Sequence, residues 1–162
     1  MADGRFAYTA FVTDVFARRI VGWACATTMN TQELPLQALE QAISWAASHG
    51  GTDGLVHHSD HGVQYTSTVY TTRVMEYGML PSTGTVGDSY DNAMAESADA
   101  ACKTGLVWRR RPFHDLKGLE LATFRWVSWW NSKRLHQSMG YRTPEAVETE
   151  YYTNQAAQAA SL

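Results

Sequence analysis

Two carboxylates in the sequence have the spacing and the surroundings of a metal-dependent site. Asp60 follows a short segment ending in two histidines, and thirty-five residues separate it from Glu96. Lys103 comes seven residues after Glu96, close to two turns of an α-helix, so these two side chains would share one helix face. Carboxylates bind Mg²⁺ or Mn²⁺, and a neighbouring cation suits a phosphate. The pattern therefore predicts metal-assisted phosphoryl transfer.

Three blocks of sequence resemble the catalytic core of bacterial insertion-sequence transposases and of retroviral integrases. The blocks run from His58 to Ser67, from Gly87 to Ser97 and from Asn131 to Pro144. Members of that group use two Asp residues and a Glu that is separated from the second Asp by thirty-five residues, with Lys or Arg seven residues beyond the Glu. The resemblance runs from about Phe6 to about Val147, and the last block is typical of the insertion-sequence branch.

The resemblance implies an α/β, ribonuclease-H-like fold, in which helices flank a mixed five-stranded sheet. It also implies a central first strand that carries the first catalytic Asp upstream of Phe6, and neither is found in this sequence. We therefore expect residues 1–150 to form a catalytic core that lacks its first strand, and residues 151–162 to form a C-terminal tail. The strands beside the gap would lose a shared neighbour.

The implied function is DNA transposition by metal-dependent strand transfer at insertion-sequence ends. Asp60 and Glu96 would ligate Mg²⁺ or Mn²⁺, while Lys103, Lys133 and Arg134 would contact DNA. The expected partners are the DNA ends, the target DNA and further copies of the chain. The alternative is a truncated, catalytically inactive remnant that acts at most in DNA binding or self-association. A weaker alternative is a stand-alone ribonuclease-H-like nuclease.

Other candidate ligands have simpler interpretations. Asp14 is a possible substitute for the first Asp, although a residue at a strand end or turn is the preferred interpretation. His57 and His58 are adjacent on a predicted strand and should point to opposite faces, which disfavours a shared zinc ion. The arginines at 109–111 fit a solvated surface as well as a DNA contact.

Composition and charge place limits on function. The chain has 162 residues, 44% of them hydrophobic, and a net charge of −3, which disfavours strong autonomous binding to DNA. No apolar segment is long enough to span a membrane. Cys25 and Cys102 suit small core residues rather than a disulfide framework, so a cytoplasmic location is expected.

Hydrophobic periodicity and turn residues predict an alternation of strands and helices. The strands are expected at 6–13, 20–27, 55–58 and 79–82, and the helices at 31–48, 65–77, 92–106 and 115–134, with a loop at 83–90. The first two strands should form a hairpin. Asp60 would then follow the third strand, at the strand end where ligands gather in α/β sheets.

Overall fold

The computed structural model describes residues 1, 6–30, 32, 34–60, 62–83, 97–108 and 113–161. The strands are β1 (Tyr8–Thr13), β2 (Ile20–Ala26), β3 (Val56–His58) and β4 (Leu80–Ser82). The helices are α1 (Pro35–Ala47), α2 (Thr68–Glu76), α3 (described at 97–102 and continued by a π-helical turn at Lys103–Val107), α4 (Leu116–Ser132) and α5 (Pro144–Ala159), with a 3₁₀ turn at Gln137–Met139 before α5.

The predicted hairpin is present. Strands β1 and β2 pair antiparallel from Tyr8 opposite Ala26 to Thr13 opposite Ile20, and the register shifts at Val12 and Thr13. Because side chains alternate across a strand, Ala10 and Ala24 face α1 while Phe11 packs towards α4. The hairpin is thus covered by helices on both faces.

Helix α1 lies unusually close to the hairpin because β2 contains a glycine. A Cβ atom added at Gly22 would lie 2.0 Å from the carbonyl oxygen of Ala38 on α1. Small residues on both elements, Ala24 and Ala38 among them, are buried at this contact. Any larger residue at position 22 would force the helix away from the sheet.

Strands β3 and β4 form a second, parallel pair, in which Val56 is opposite Leu80 and His58 is opposite Ser82. Helix α1 joins this pair to the hairpin, since Leu39 and Ile43 on its other side pack with Tyr70 and Val74 of α2. Apolar residues on two sides of α1 therefore belong to two separate clusters, one with the hairpin and one with α2.

The single five-stranded sheet implied by the resemblance is not found in the described part of the chain. The strands there form two separate pairs, β1–β2 and β3–β4. Strand directions are nevertheless mixed, as expected, and helices flank the strands. Each pair is limited to two strands because no described strand joins β1 to β3.

Two side chains at the end of α4 attach it to the hairpin. The side-chain Oδ1 of Asn131 accepts a hydrogen bond from the N–H of Ile20, and its Nδ2 donates to the Ile20 carbonyl, each at 2.9 Å. The indole Nε1 of Trp130 donates to the carbonyl of Arg18 at 2.9 Å, and Arg18 has a positive φ of 55°. Asn131, the first residue of the last transposase-like block, therefore holds the end of α4 against the hairpin through hydrogen bonds.

Some helix ends differ from the predicted ones. The helix expected from residue 31 begins at Pro35, after Leu34, which makes no side-chain capping bond. Thr31 itself lies outside the described residues. Helix α2 begins only after Ser67, whose hydroxyl accepts the N–H of Tyr70, because residues 63–66 form turns. The boundary expected at residue 150 falls within α5. No helix in the described ranges is long and apolar enough to cross a membrane.

Candidate active site

Asp60 lies where the chain leaves the second strand pair. Strand β3 ends at His58, and the N–H of Ser59 still bonds to the carbonyl of Ser82 at 3.0 Å. The side chain of Asp60 is exposed, and its Oδ1 accepts the N–H of Gly62 at 2.7 Å. This Asx-type turn orients one carboxylate oxygen inward and presents the group at the C-terminal end of a parallel strand.

The loop after Asp60 is tightly folded around a glycine. A Cβ at Gly62 would lie 2.7 Å from Asp60 Oδ1 and 2.8 Å from the Nε2 of Gln64. The backbone continues into a turn in which Tyr65 N–H bonds to the Gly62 carbonyl at 2.9 Å. Only glycine therefore leaves both neighbouring side chains in these positions.

A polar and aromatic network supports this loop from below. The Nε2 of His57 and the hydroxyl of Tyr70 are 2.8 Å apart, and the rings of Tyr65 and Tyr70 meet edge to face at 5.5 Å. Burial lowers the pKa of His57, and the neighbouring His58 lowers it further. Burial, with smaller contributions from the charges of Asp60 and Asp99, raises the pKa of Tyr65 to about 12. Both side chains are thus neutral near pH 7.

Helix α3 places an additional carboxylate near Asp60 that sequence reasoning missed. Partial burial raises the pKa of Asp99, while Lys103 lowers it and the charge of Asp60 raises it. Asp99 is therefore within electrostatic range of both predicted site residues. The signal was present in the sequence, since Asp99 is three residues after Glu96 and four before Lys103, which is the spacing of neighbours on one helix face.

The predicted site is only partly described. Lys103 is exposed and begins the π-helical turn, so the regular α-helix expected up to residue 106 ends at residue 102. Glu96 and the arginines at 109–111 lie outside the described residues, as does most of the predicted loop. Asp60 and Lys103 therefore both act electrostatically on Asp99, and the pairing of Asp60 with Glu96 stays a prediction.

Asp14 is a turn residue, which confirms the preferred interpretation. Its Oδ2 accepts the N–H of Ala17 at 2.7 Å, and its own N–H bonds to the carbonyl of Arg19 at 2.8 Å. These bonds close the connection between β1 and β2. The carboxylate is thus engaged in holding the hairpin turn.

The predicted DNA-contacting residues Lys133 and Arg134 follow α4 directly. Lys133 is exposed, whereas Arg134 is half-buried and its guanidinium carbon lies 4.4 Å from the centre of a Trp130 ring. Both cysteines are buried and unpaired, as expected, and Cys25 bonds to the hydroxyl of Thr123 at 3.5 Å. Within the described ranges, no group of three or more His, Cys, Asp or Glu residues could hold a metal ion.

Comparison with known families decides the identity of this arrangement. Two models, both described as an integrase core domain, match residues 1–89 and residues 77–144. The chain belongs to the integrase core family. The two matches overlap at residues 77–89, which include β4; the first includes the strand end bearing Asp60, and the second includes the helix bearing Lys103.

Relatives of this integrase core are insertion-sequence transposases. It is 47% identical over 149 residues to the transposase of element IS629 from Shigella sonnei, covering 92% of this chain and 48% of the relative. It is 46% identical over 157 residues to the putative transposase of element IS986/IS6110 from Mycobacterium tuberculosis, covering 96% of this chain and 56% of the relative. The chain thus spans about half the length of the curated relatives it matches.

Solved integrase structures share the fold. The integrase core superposes on the catalytic core domain of HTLV-2 integrase, in a trimeric form with magnesium, with a TM-score of 0.61 over 84% of this chain and 80% of the other. It also matches the catalytic core domain of BIV integrase with a TM-score of 0.52, covering 91% of this chain and 97% of the other. Sequence identity is 17% in both cases, and the fold is that of integrase catalytic cores.

Proposed function

We propose that the chain is the catalytic core of an insertion-sequence transposase that joins transposon ends to target DNA by metal-dependent strand transfer. The observation that carries the proposal is the position of Asp60, an exposed carboxylate at the C-terminal end of a parallel strand within an integrase core fold. We propose that residues 1–150 form this core, that 151–162 form its C-terminal tail, and that the protein acts in the cytoplasm as a homo-oligomer.

The described donors fit a hard divalent cation. Asp60 offers an exposed carboxylate that is oriented by Gly62, and carboxylate oxygens are the ligands that Mg²⁺ and Mn²⁺ prefer. Asp60 and Glu96 would hold the ion, which would stabilise charge on the attacking and leaving oxygens of a phosphodiester. Asp99 adds negative charge beside them, so it would favour a bound cation without necessarily touching it.

Cationic side chains would hold the DNA around this centre. Lys103 is exposed on α3, one helical turn beyond Asp99, and would meet a backbone phosphate near the reacting bond. Lys133 is exposed at the end of α4 and would contribute a further phosphate contact, as would the neighbouring Arg134. Such contacts position the DNA strand and carry no sequence information by themselves.

A strand-joining assay tests the proposal. The purified chain is incubated with DNA carrying the ends of its own insertion sequence, a plasmid target and Mn²⁺. The proposal predicts joined products from the wild type and none from Asp60→Asn or Glu96→Gln, whereas a catalytically inactive core would give none from any of the three. Asp115→Asn is the matched control, because Asp115 also accepts a main-chain N–H, that of Gly118 at 2.8 Å, but caps α4. Joining that persists in Asp60→Asn would refute the assigned role of Asp60.

A second candidate function is DNA binding or self-association without catalysis. It is favoured by the engagement of Asp14 in the hairpin turn, which leaves it poorly placed to act as a third metal ligand. If the wild type binds DNA in the same preparation but joins nothing, this second candidate replaces the first.

A further inference from the structure

A cavity on the integrase core lies between the hairpin turn, α3 and the segment that follows α4. Its volume is about 430 Å³, within the range of about 300–1,000 Å³ that is usual for ligand sites. Three basic side chains line it, Arg18 from the turn and Arg134 and His136 from the segment after α4. The cavity therefore collects cationic groups from elements that are far apart in sequence.

The two arginines have no anionic partner in the described part of the chain. The ion pairs formed there by arginines belong to Arg19, Arg73 and Arg142. Arg134 instead stacks on Trp130, and burial lowers the pKa of its guanidinium. A half-buried cation that packs on an indole and lacks a carboxylate has donor N–H groups available for an external anion.

His136 places a buried ring nitrogen at the same cavity. The residue is buried, with 9% of its surface exposed, and its Nε2 has no hydrogen-bond partner among the described residues. Its ring packs edge to face on Trp130 at 4.7 Å. A buried polar atom without a partner is costly, at about 1–3 kcal/mol, so a bound acceptor would relieve that cost.

The cavity is separate from the loop that carries Asp60. Ser97 and Ala98 of α3 line the cavity, whereas Asp99 is the residue of α3 that is electrostatically coupled to Asp60. Two residues correspond to about 200° around an α-helix, so Ser97 and Asp99 lie on different sides of α3. An anion bound in the cavity would therefore be distinct from the reacting phosphodiester proposed to lie at the metal ion of Asp60.

We propose that this cavity binds a phosphate group of a DNA backbone, away from the reacting phosphodiester, through Arg18, Arg134 and His136. Two guanidinium groups and an imidazole, brought together from two separate segments, suit the several oxygens of a tetrahedral phosphate better than the two coplanar oxygens of a carboxylate. The cavity is also larger than a lone phosphate needs, and the largely exposed Tyr141 and Leu135 at its lining offer apolar contact to a sugar or base.

The assignment of the phosphate to DNA rests on the proposed function, whereas the preference for a phosphate does not. The test is therefore made without metal ion, so that it is independent of strand joining. The ¹⁵N-labelled chain is titrated separately with inorganic phosphate and with a 20-base-pair DNA duplex. The reporter is the indole N–H of Trp130, which donates a hydrogen bond to the Arg18 carbonyl. The guanidinium group of Arg134 stacks on the ring of the same tryptophan.

We expect the duplex to shift the Trp130 indole signal and inorganic phosphate to compete with it. Arg18→Gln and Arg134→Gln should each weaken duplex binding and reduce the slope of log affinity against log salt by about 1. Arg18→Gln keeps the main-chain carbonyl that Trp130 bonds, so folding is retained. Arg125→Gln is the matched control, since Arg125 is exposed on α4 and does not line the cavity.

The outcomes separate this inference from the proposed function. A Trp130 signal that responds to neither probe, or an Arg125→Gln effect as large as that of Arg134→Gln, would overturn it. A response to inorganic phosphate but not to the duplex would overturn the assignment to DNA. Duplex binding through Trp130 in a protein that joins no strands would support the cavity and count only against catalysis.

Discussion

The Nε2 of His57 on β3 and the hydroxyl of Tyr70 on α2 are 2.8 Å apart. His57 lies shortly before the loop that carries the exposed Asp60. The contact connects the strand that delivers the carboxylate to the helix that follows its loop. Because Tyr70 is buried and its ring also contacts Tyr65, the strand, the loop and the helix are joined through this one side chain.

Tyr70→Phe should destabilise the protein by about 1–3 kcal/mol, because it leaves a ring nitrogen of His57 without a partner in the interior. Urea unfolding followed by circular dichroism measures the change. Tyr77→Phe is the control, since Tyr77 follows the same helix as its C-terminal cap residue and lies partly exposed. Equal stability of wild type and Tyr70→Phe would show that the His57 contact carries no net free energy.

Gly62→Ala should disturb the site more than the fold. The added methyl group would lie 2.7 Å from Asp60 Oδ1, so the carboxylate must rotate away, whereas the exposed loop should lose only about 0.5 kcal/mol or less. Gly118→Ala is the matched control, because Gly118 donates its N–H to Asp115 in the same way and its added Cβ would lie 3.2 Å from that carboxylate. We expect reduced Mn²⁺ affinity in Gly62→Ala only, measured by water-proton relaxation.

Removing the charge of Asp60 should abolish the metal site. Two or three carboxylates with water completing the coordination shell bind a divalent ion weakly, since affinity follows the number of charged ligands. We expect wild type to show one weak Mn²⁺ site in relaxation titrations, and Asp60→Asn to lose it. The control is Asp115→Asn, at the cap of α4. Identical titration curves for wild type and Asp60→Asn would exclude Asp60 as a ligand.

His57 should make stability depend on pH below neutrality. Burial lowers its pKa in the folded state, so the unfolded chain binds more protons and stability rises with pH. This contribution is complete above the unfolded pKa of about 6.5 and is lost as pH falls towards the folded value. Melting temperatures at pH 7.5 and 5.5 should differ more in wild type than in His57→Gln. His136 acts in the same direction in both proteins, so the difference between them isolates His57.

Asn131→Ala should destabilise the core by about 2–4 kcal/mol, because both main-chain groups of the buried Ile20 lose their partner. Asn131→Asp keeps the acceptor for the Ile20 N–H and should fall between Ala and wild type. Ser132→Ala, which removes only a bond to the Ser128 carbonyl within α4, should be nearly neutral. Equal unfolding midpoints for the three variants would contradict the role of Asn131 in holding α4 against the hairpin.

The sequence by itself determined the elements and the family. Segments rich in β-branched and aromatic residues predicted β1 and β2. The spacing of Leu119, Thr123 and Trp126 is that of one helix face, and these residues are buried on α4, because burial of one face imposes the period of the element. The blocks around Asp60, Glu96 and Asn131 indicated an integrase core, which the family comparison confirms. These are local features, which neighbouring residues specify.

Only the tertiary structure decided which distant groups meet. The contact of Asn131 with Ile20 spans 111 residues, and the cavity gathers Arg18 with Arg134 and His136, although nothing near Arg18 in the sequence distinguishes it from Arg19. Arg19 instead pairs with Glu148 at 2.7 Å. Arg18 adopts a positive φ of 55° in the hairpin turn, and which of the two arginines lines the cavity depends on how this turn packs against its neighbours rather than on residue type.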